Sequence, residues 1–174
     1  MNIPTLISGS VVIIIFSWYY SIKQKRYHGI PRFFAFESIY ILLLLNLKYW
    51  FSDPFSWNLM ISWILLILSA WSGLAGYFTL RGKGQAVGNF ENTTALVKSG
   101  VFGLIRHPLY FSLLLIGTGI MMNNLSLPSI AAGMVNLMAL WLTARTEEKE
   151  MIDKFGQQYR DYIGETKMFI PFIL

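Results

Sequence analysis

The chain has 174 residues, of which 55% are hydrophobic, 16% aromatic and only 13% charged, with a formal charge of +5. Soluble domains carry about 25% charged residues, so this chain cannot cover itself with a solvated surface, and the same figures exclude disorder, collagen and coiled coil. It holds no cysteine, which removes disulfides and zinc–thiolate sites, and with two histidines, His28 and His107, no metal centre is expected.

A bilayer core takes about 20 mostly apolar residues per helix. The apolar runs place spans at residues 3–22, 33–51, 55–80, 108–122 and 125–143. The fourth is short for an upright span and is expected to form a tight hairpin with the fifth through Asn123 and Asn124. Four spans plus a re-entrant hairpin is the alternative. The expected fold is therefore all-α and integral to the membrane, one domain over residues 1–174. Three N-terminal spans (1–80) are followed by a polar loop, the helical hairpin and a C-terminal tail (81–174).

The basic residues check this count independently. Lys23, Lys25, Arg26 and Arg32 follow span one; Arg81, Lys83, Lys98 and Arg106 lie between spans three and four; Arg145, Lys149, Lys154, Arg160 and Lys167 follow span five. Only Lys48, near the far end of span two, departs from one side of a five-span bundle. The positive-inside rule then puts the N-terminus outside and the C-terminus in the cytoplasm. Span one lacks a basic segment before it, so it is not expected to be a cleaved signal peptide. The positive charge is assigned to cytoplasmic loops and anionic headgroups, not to nucleic acid. Gly73, Gly76, Gly117, Gly119 and Gly133 fall inside spans and read as close helix packing.

Polar residues collect in the loop 81–107 and the tail from Arg145 onward. The tail has helical spacing: Met151, Ile152, Phe155, Tyr159, Tyr162 and Ile163 form an apolar face, compatible with a helix resting on headgroups. Gly156 within it is unfavourable to a helix and marks a break or a close contact. Glu37 is placed in the first turn of span two as a dipole-compensating residue. The glycines from Gly82 to Gly88 follow a span, not a strand, and do not form a dinucleotide fingerprint. Asn46 and Asn136 are the main polar candidates at mid-bilayer.

The segment Arg106-His107-Pro108-Leu109-Tyr110 is more informative. Pro108 suits the first turn of a helix and biases His107 towards extended backbone. Arg106 and His107 thus sit at the mouth of span four, beside unpaired amides that attract anions.

These residues carry a resemblance. Leu96-Val97, Gly100 and Phe102, followed by Arg106-His107-Pro108 and Tyr110, resemble a signature of the isoprenylcysteine carboxyl methyltransferases. Glu147-Glu148, Phe155-Gly156, Tyr159, Tyr162 and Ile170-Pro171 resemble the same family's ending. Phospholipid N-methyltransferases and other small integral-membrane methyltransferases share parts of the pattern, which covers roughly residues 94–171. The resemblance implies a methyltransferase that uses S-adenosyl-L-methionine (AdoMet), with the cofactor pocket formed by the loop, the mouth of span four and the C-terminal helix. It implies that Leu96, Val97, Gly100, Phe102, His107, Pro108, Tyr110, Glu147 and Glu148 bind the cofactor. Arg106 and Glu148 would be catalytic, and Tyr159, Tyr162 and Glu165 would meet the substrate. Carboxylates suit the cofactor's ammonium, aromatic faces its adenine or sulfonium, and Arg106 or the span-four amides its carboxylate.

The implied partners are a lipophilic or lipid-modified acceptor and membrane lipids. A carboxylate acceptor needs no general base, only alignment and exclusion of water. Three positions depart from the pattern: Thr94 stands where many members have His, Phe102 where they have Tyr, and Glu165 where eukaryotic members have an Arg that meets the substrate carboxylate. That reversal of charge keeps phospholipid N-methylation and thiol S-methylation open beside carboxyl methylation. A non-catalytic transport or assembly subunit, the alternative of another class, would gather its polar groups at mid-bilayer.

Overall fold

The computed structural model describes residues 3–21, 23, 26–52, 55–87, 91 and 93–171; Ile22, Lys25 and Gly88, named above, lie outside them. Among the described residues six α-helices follow in order: α1 Ile3–Tyr20, α2 Gly29–Asn46, α3 Trp57–Lys83, α4 Pro108–Met122, α5 Leu127–Phe155 and α6 Gln157–Glu165. Among the described residues there is no named strand, only a bridge between Ile105 and Lys167.

Four helices, α1, α2 with its 3-10 extension, α3 and α5, are long and apolar enough to cross a membrane. The fourth expected span has the expected bounds in α4, but its 15 residues rise only about 22 Å at 1.5 Å each, short of a 30 Å hydrocarbon core. Two expected boundaries are corrected. Span two begins earlier, at Gly29, because His28 and Arg32 are buried against acidic partners distant in sequence. Glu37 therefore lies in the third turn of α2, where it accepts a hydrogen bond from Ser10 Oγ of α1 at 2.5 Å. Span five and the first part of the amphipathic tail are one continuous helix, α5, because nothing between Thr143 and Arg145 interrupts the backbone ladder.

Side chains that would form the core of a soluble protein face outward, including Ile14, Ile15, Ile64, Ile67, Trp71 and Leu74. The interior instead holds Ser38, Ser62, Ser69, Ser72, Ser129, Asn46, Asn136 and Thr143. Lipid tails are as apolar as leucine, so membrane helices associate through small residues and interhelical hydrogen bonds. On the α3–α4 seam, Ser69 Oγ donates to Ser112 O at 2.9 Å and Ser72 Oγ to Pro108 O at 3.0 Å. A methyl group on Gly76 would lie 3.2 Å from the Pro108 ring, which fixes how closely α3 approaches the α4 mouth. On the α2–α5 seam, Asn136 Nδ2 donates to Ala35 O at 3.1 Å and Asn46 Nδ2 to Ser129 Oγ at 3.1 Å. Both asparagines act as helix fasteners.

The ends of five helices meet at one end of the bundle. Ion pairs join the α1–α2 turn to the loop after α3 (Arg26 and Arg32 to Glu91) and to α5 (His28 to Glu150), and the mouth of α4 to α5 (Arg106 to Glu148). The α4–α5 turn closes the opposite end, with Ser126 N bonded to Asn124 O at 2.8 Å.

Candidate active site

Pro108 opens α4 and deprives the preceding residues of a helical continuation; His107 takes φ −124° and ψ 60°. The backbone just before the helix is recruited by the C-terminal tail: Arg106 N donates to Lys167 O at 2.8 Å and His107 N to Met168 O at 3.2 Å. This pairing follows α6, which can turn back only because Gly156 occupies φ 59° and ψ −130°, a region essentially closed to residues with a Cβ.

The Arg106 side chain completes the junction. Its Nε donates to Glu148 Oε1 at 2.7 Å, and its Nη1 donates to Ile163 O at 3.3 Å and to Thr166 O. Arg106 and Glu148 are both almost fully buried. His107 lies between two carboxylates, Nδ1 3.5 Å from Glu147 and Nε2 3.4 Å from Glu148, the second contact lacking hydrogen-bond alignment. Burial by itself lowers the His107 pKa, but its interactions with Glu147 and Glu148 outweigh burial and raise it.

Around this junction lies an open-mouthed pocket, with about 680 Å³ of empty space when the solvent in its mouth is counted. Of the expected cofactor residues, Leu96, Val97, Phe102, His107, Pro108, Tyr110 and Glu147 line it, as do Arg106, Tyr159 and Tyr162. Tyr162 Oη donates to Phe102 O at 2.6 Å, tying α6 to the short 3-10 turn Gly100–Gly103. Burial, followed by the charges of Glu147 and Glu148, pushes the Tyr159 phenol up; burial likewise pushes up Tyr162. Both stay protonated in the physiological range.

Three expected site residues are not in the lining. Glu148 stands behind it, holding Arg106 and His107. Gly100, at φ 64°, shapes the turn against Thr79. Glu165 is exposed, 3.9 Å from Lys98, because α6 directs that position away from the cavity. Arg106 also differs from expectation: its guanidinium is engaged with a carboxylate and two carbonyls, so it fastens the walls instead of presenting a free fork to an anion.

Sequence reasoning missed Leu80, Glu91, Thr93, Leu109, Met151 and Phe155 in the lining. Met151 and Phe155 belong to the tail's apolar face, which helical spacing alone reads as resting on headgroups. Glu91 carries a signal in the sequence, since it is the one acidic residue in the loop 81–107.

The sequence profile of the family described as phospholipid methyltransferase matches residues 57–158. The chain belongs to this family. It is also similar to the protein-S-isoprenylcysteine O-methyltransferases of Mus musculus and Rattus norvegicus, each 36% identical over 89 residues. That alignment covers 48% of this chain and 30% of either relative, so the chain corresponds to a minor part of those proteins. No solved structure matches it. The family segment contains the α4 mouth, the loop before it and the carboxylates of α5; Arg26, His28 and Arg32 lie outside it.

Proposed function

We propose that this protein is an integral-membrane, AdoMet-dependent methyltransferase acting on a lipophilic acceptor at the cytoplasmic surface. The observation that carries the reading is the junction of Arg106 and His107 with Glu147 and Glu148 at one pocket, closed by α6. The lining suits the donor: the Glu147 carboxylate fits its ammonium, and the Phe102, Tyr110 and Tyr159 rings fit its adenine and sulfonium. Bound AdoMet supplies a methyl group on a sulfonium centre, and its transfer leaves S-adenosylhomocysteine. The orientation rests on the side carrying the basic residues, which is the pocket end.

A carboxylate acceptor is favoured. His107 is flanked by two carboxylates that favour its protonated form, and the two phenols stay protonated, so none of the three is set up as a proton acceptor. An acceptor arriving as a carboxylate needs none: its oxygen forms the new bond to the methyl carbon as the carbon–sulfur bond breaks, giving an ester. The exposed Glu165, away from the pocket, does not oppose such a charge. The residues' part is alignment and exclusion of water. The name of the relatives, protein-S-isoprenylcysteine O-methyltransferase, supports an O-methylation of this kind, and a lipid chain reaches the pocket from the bilayer while the head meets the donor. A transport subunit is disfavoured because Asn46 and Asn136 serve helix packing.

The test is a radiolabelled methyl-transfer assay with purified protein and AdoMet, offering a prenylcysteine, phosphatidylethanolamine and a lipophilic thiol in parallel. Label in a base-labile ester is expected. Label only in the amine or thiol product would replace the carboxylate reading, and no calorimetric binding of S-adenosylhomocysteine at millimolar concentration would overturn the methyltransferase itself.

A further inference from the structure

Glu91 enters the pocket wall from the loop after α3, yet what holds it there comes from the opposite end of the sequence. Arg32 Nη1 lies 2.9 Å from both Glu91 oxygens, and Arg26 Nη1 donates to Glu91 Oε2 at 3.0 Å. Arg32 is buried, and its Nη2 donates to Ser21 Oγ at 2.7 Å. The turn presenting these groups is tightly built: a Cβ on Gly29 would collide with Ser21, and Arg26 N donates to Ser21 O at 3.0 Å. The turn is fastened to α5 as well, since fully buried His28 places Nδ1 2.7 Å from Glu150 Oε2 while its backbone N–H bonds Oε1 at 3.1 Å. Glu150 lies one helical turn beyond Glu147. A second tie comes from α5, where Lys154 Nζ donates to Thr93 O at 2.6 Å.

One nitrogen of the buried guanidinium serves both Glu91 oxygens while Ser21 holds the other, which fixes the direction of the pair, and removing one partner from a buried pair costs far more than losing a surface contact. Glu91 is held by two guanidiniums, so its charge is already answered and it is a weak ligand for a further cation. Its place in the wall is a matter of shape. We propose that Arg32 is a positioning residue for the methyl-donor pocket: acting through Glu91, it makes the α1–α2 turn, outside the family-matched segment, part of the donor site. Arg32 itself touches neither donor nor acceptor. The inference rests on the donor-pocket reading above.

The test uses the full chain in lipid nanodiscs, with Arg32→Met, Arg32→Lys and the isosteric Glu91→Gln. Calorimetry with S-adenosylhomocysteine is expected to show affinity falling about tenfold or more for Arg32→Met and Glu91→Gln, with part of the loss recovered in Arg32→Lys. Hydrogen exchange without ligand is expected to accelerate in peptides containing Glu91 and Thr93, while α3 and α4 keep their protection. Wild-type affinity in folded Arg32→Met and Glu91→Gln would overturn the proposal. So would a smaller binding-competent fraction at unchanged Kd, which is the mark of folding support alone. If the wild-type protein itself fails to bind S-adenosylhomocysteine, the donor reading falls instead; the exchange comparison still decides whether Arg32 fixes this wall.

Discussion

Arg106 and Glu148 meet at 2.7 Å with both side chains almost fully buried, and the same guanidinium also binds the carbonyls of Ile163 and Thr166. One side chain therefore joins the mouth of α4, α5 and the C-terminal end of α6. Removing Glu148 takes the carboxylate from a buried guanidinium, at a cost of about 3–5 kcal/mol, and removing Arg106 leaves Glu148 only its longer contacts to His107 and Arg145. Arg106→Ala and Glu148→Ala are both expected to lower the melting temperature in detergent sharply. Arg106→Lys keeps the charge but loses the fork and should fall between them and the wild type. A wild-type melting temperature in Glu148→Ala would refute this linkage.

His107 gives stability a defined pH dependence. Burial lowers its pKa, and Glu147 and Glu148 more than reverse this, so the folded value is raised above the usual 6.5. A raised folded pKa means that the folded state binds the proton more tightly, so stability is gained at low pH. The contribution is complete below about pH 6.5 and disappears as the pH rises through the higher folded value. The difference in melting temperature between wild type and His107→Gln should be largest on the acid side of this window and shrink above it. A difference that grows with rising pH would contradict the assigned ion pairs.

Hydropathy made the spans legible because burial in lipid is a local property of sequence. The bounds of α4 were readable for the same reason, with Pro108 and the Asn123-Asn124 turn as punctuation. Arg32 was misplaced because its burial depends on Glu91, 59 residues away, and no local pattern reports such a partner. Glu165 and Gly100 carried motif identity without pocket geometry. Their positions are set by where α6 turns and how the Gly100 backbone twists, which are tertiary facts. The apolar face of the tail was visible at helical spacing, whereas the placing of Tyr159 and Tyr162 in the pocket lining beside Met151 and Phe155 depended on the break at Gly156.

That break can be tested directly. Gly156 sits at φ 59° and ψ −130°, where a residue with a Cβ incurs roughly 1–3 kcal/mol of strain. Space is not the obstacle, since no atom lies within 4 Å of a Cβ built there. Gly156→Ala should therefore favour a straighter continuation of α5 and draw Tyr159 and Tyr162 away from the pocket. Weaker binding of S-adenosylhomocysteine is expected, with faster hydrogen exchange in α6 and unchanged exchange in α3. Unchanged binding would show that the pocket does not require this corner.

Glu165 supplies the contrasting case. It is exposed and lies 3.9 Å from Lys98, and such surface pairs contribute about 0–1 kcal/mol. Glu165→Gln should leave the melting temperature nearly unchanged, because substitutions away from buried networks shift stability by about 0.5 kcal/mol or less. Affinity for S-adenosylhomocysteine should also be unaffected, since Glu165 is outside the lining. Glu37→Gln should likewise preserve that affinity: its carboxylate meets Ser10 between α1 and α2, remote from the junction. Calorimetry on both variants beside His107→Ala separates the pocket from its surroundings. His107→Ala should bind at least about tenfold more weakly, because it removes a lining side chain and the partner of Glu147, while Glu148 keeps Arg106. Equal losses in all three would mean that the pocket's boundary has been drawn in the wrong place.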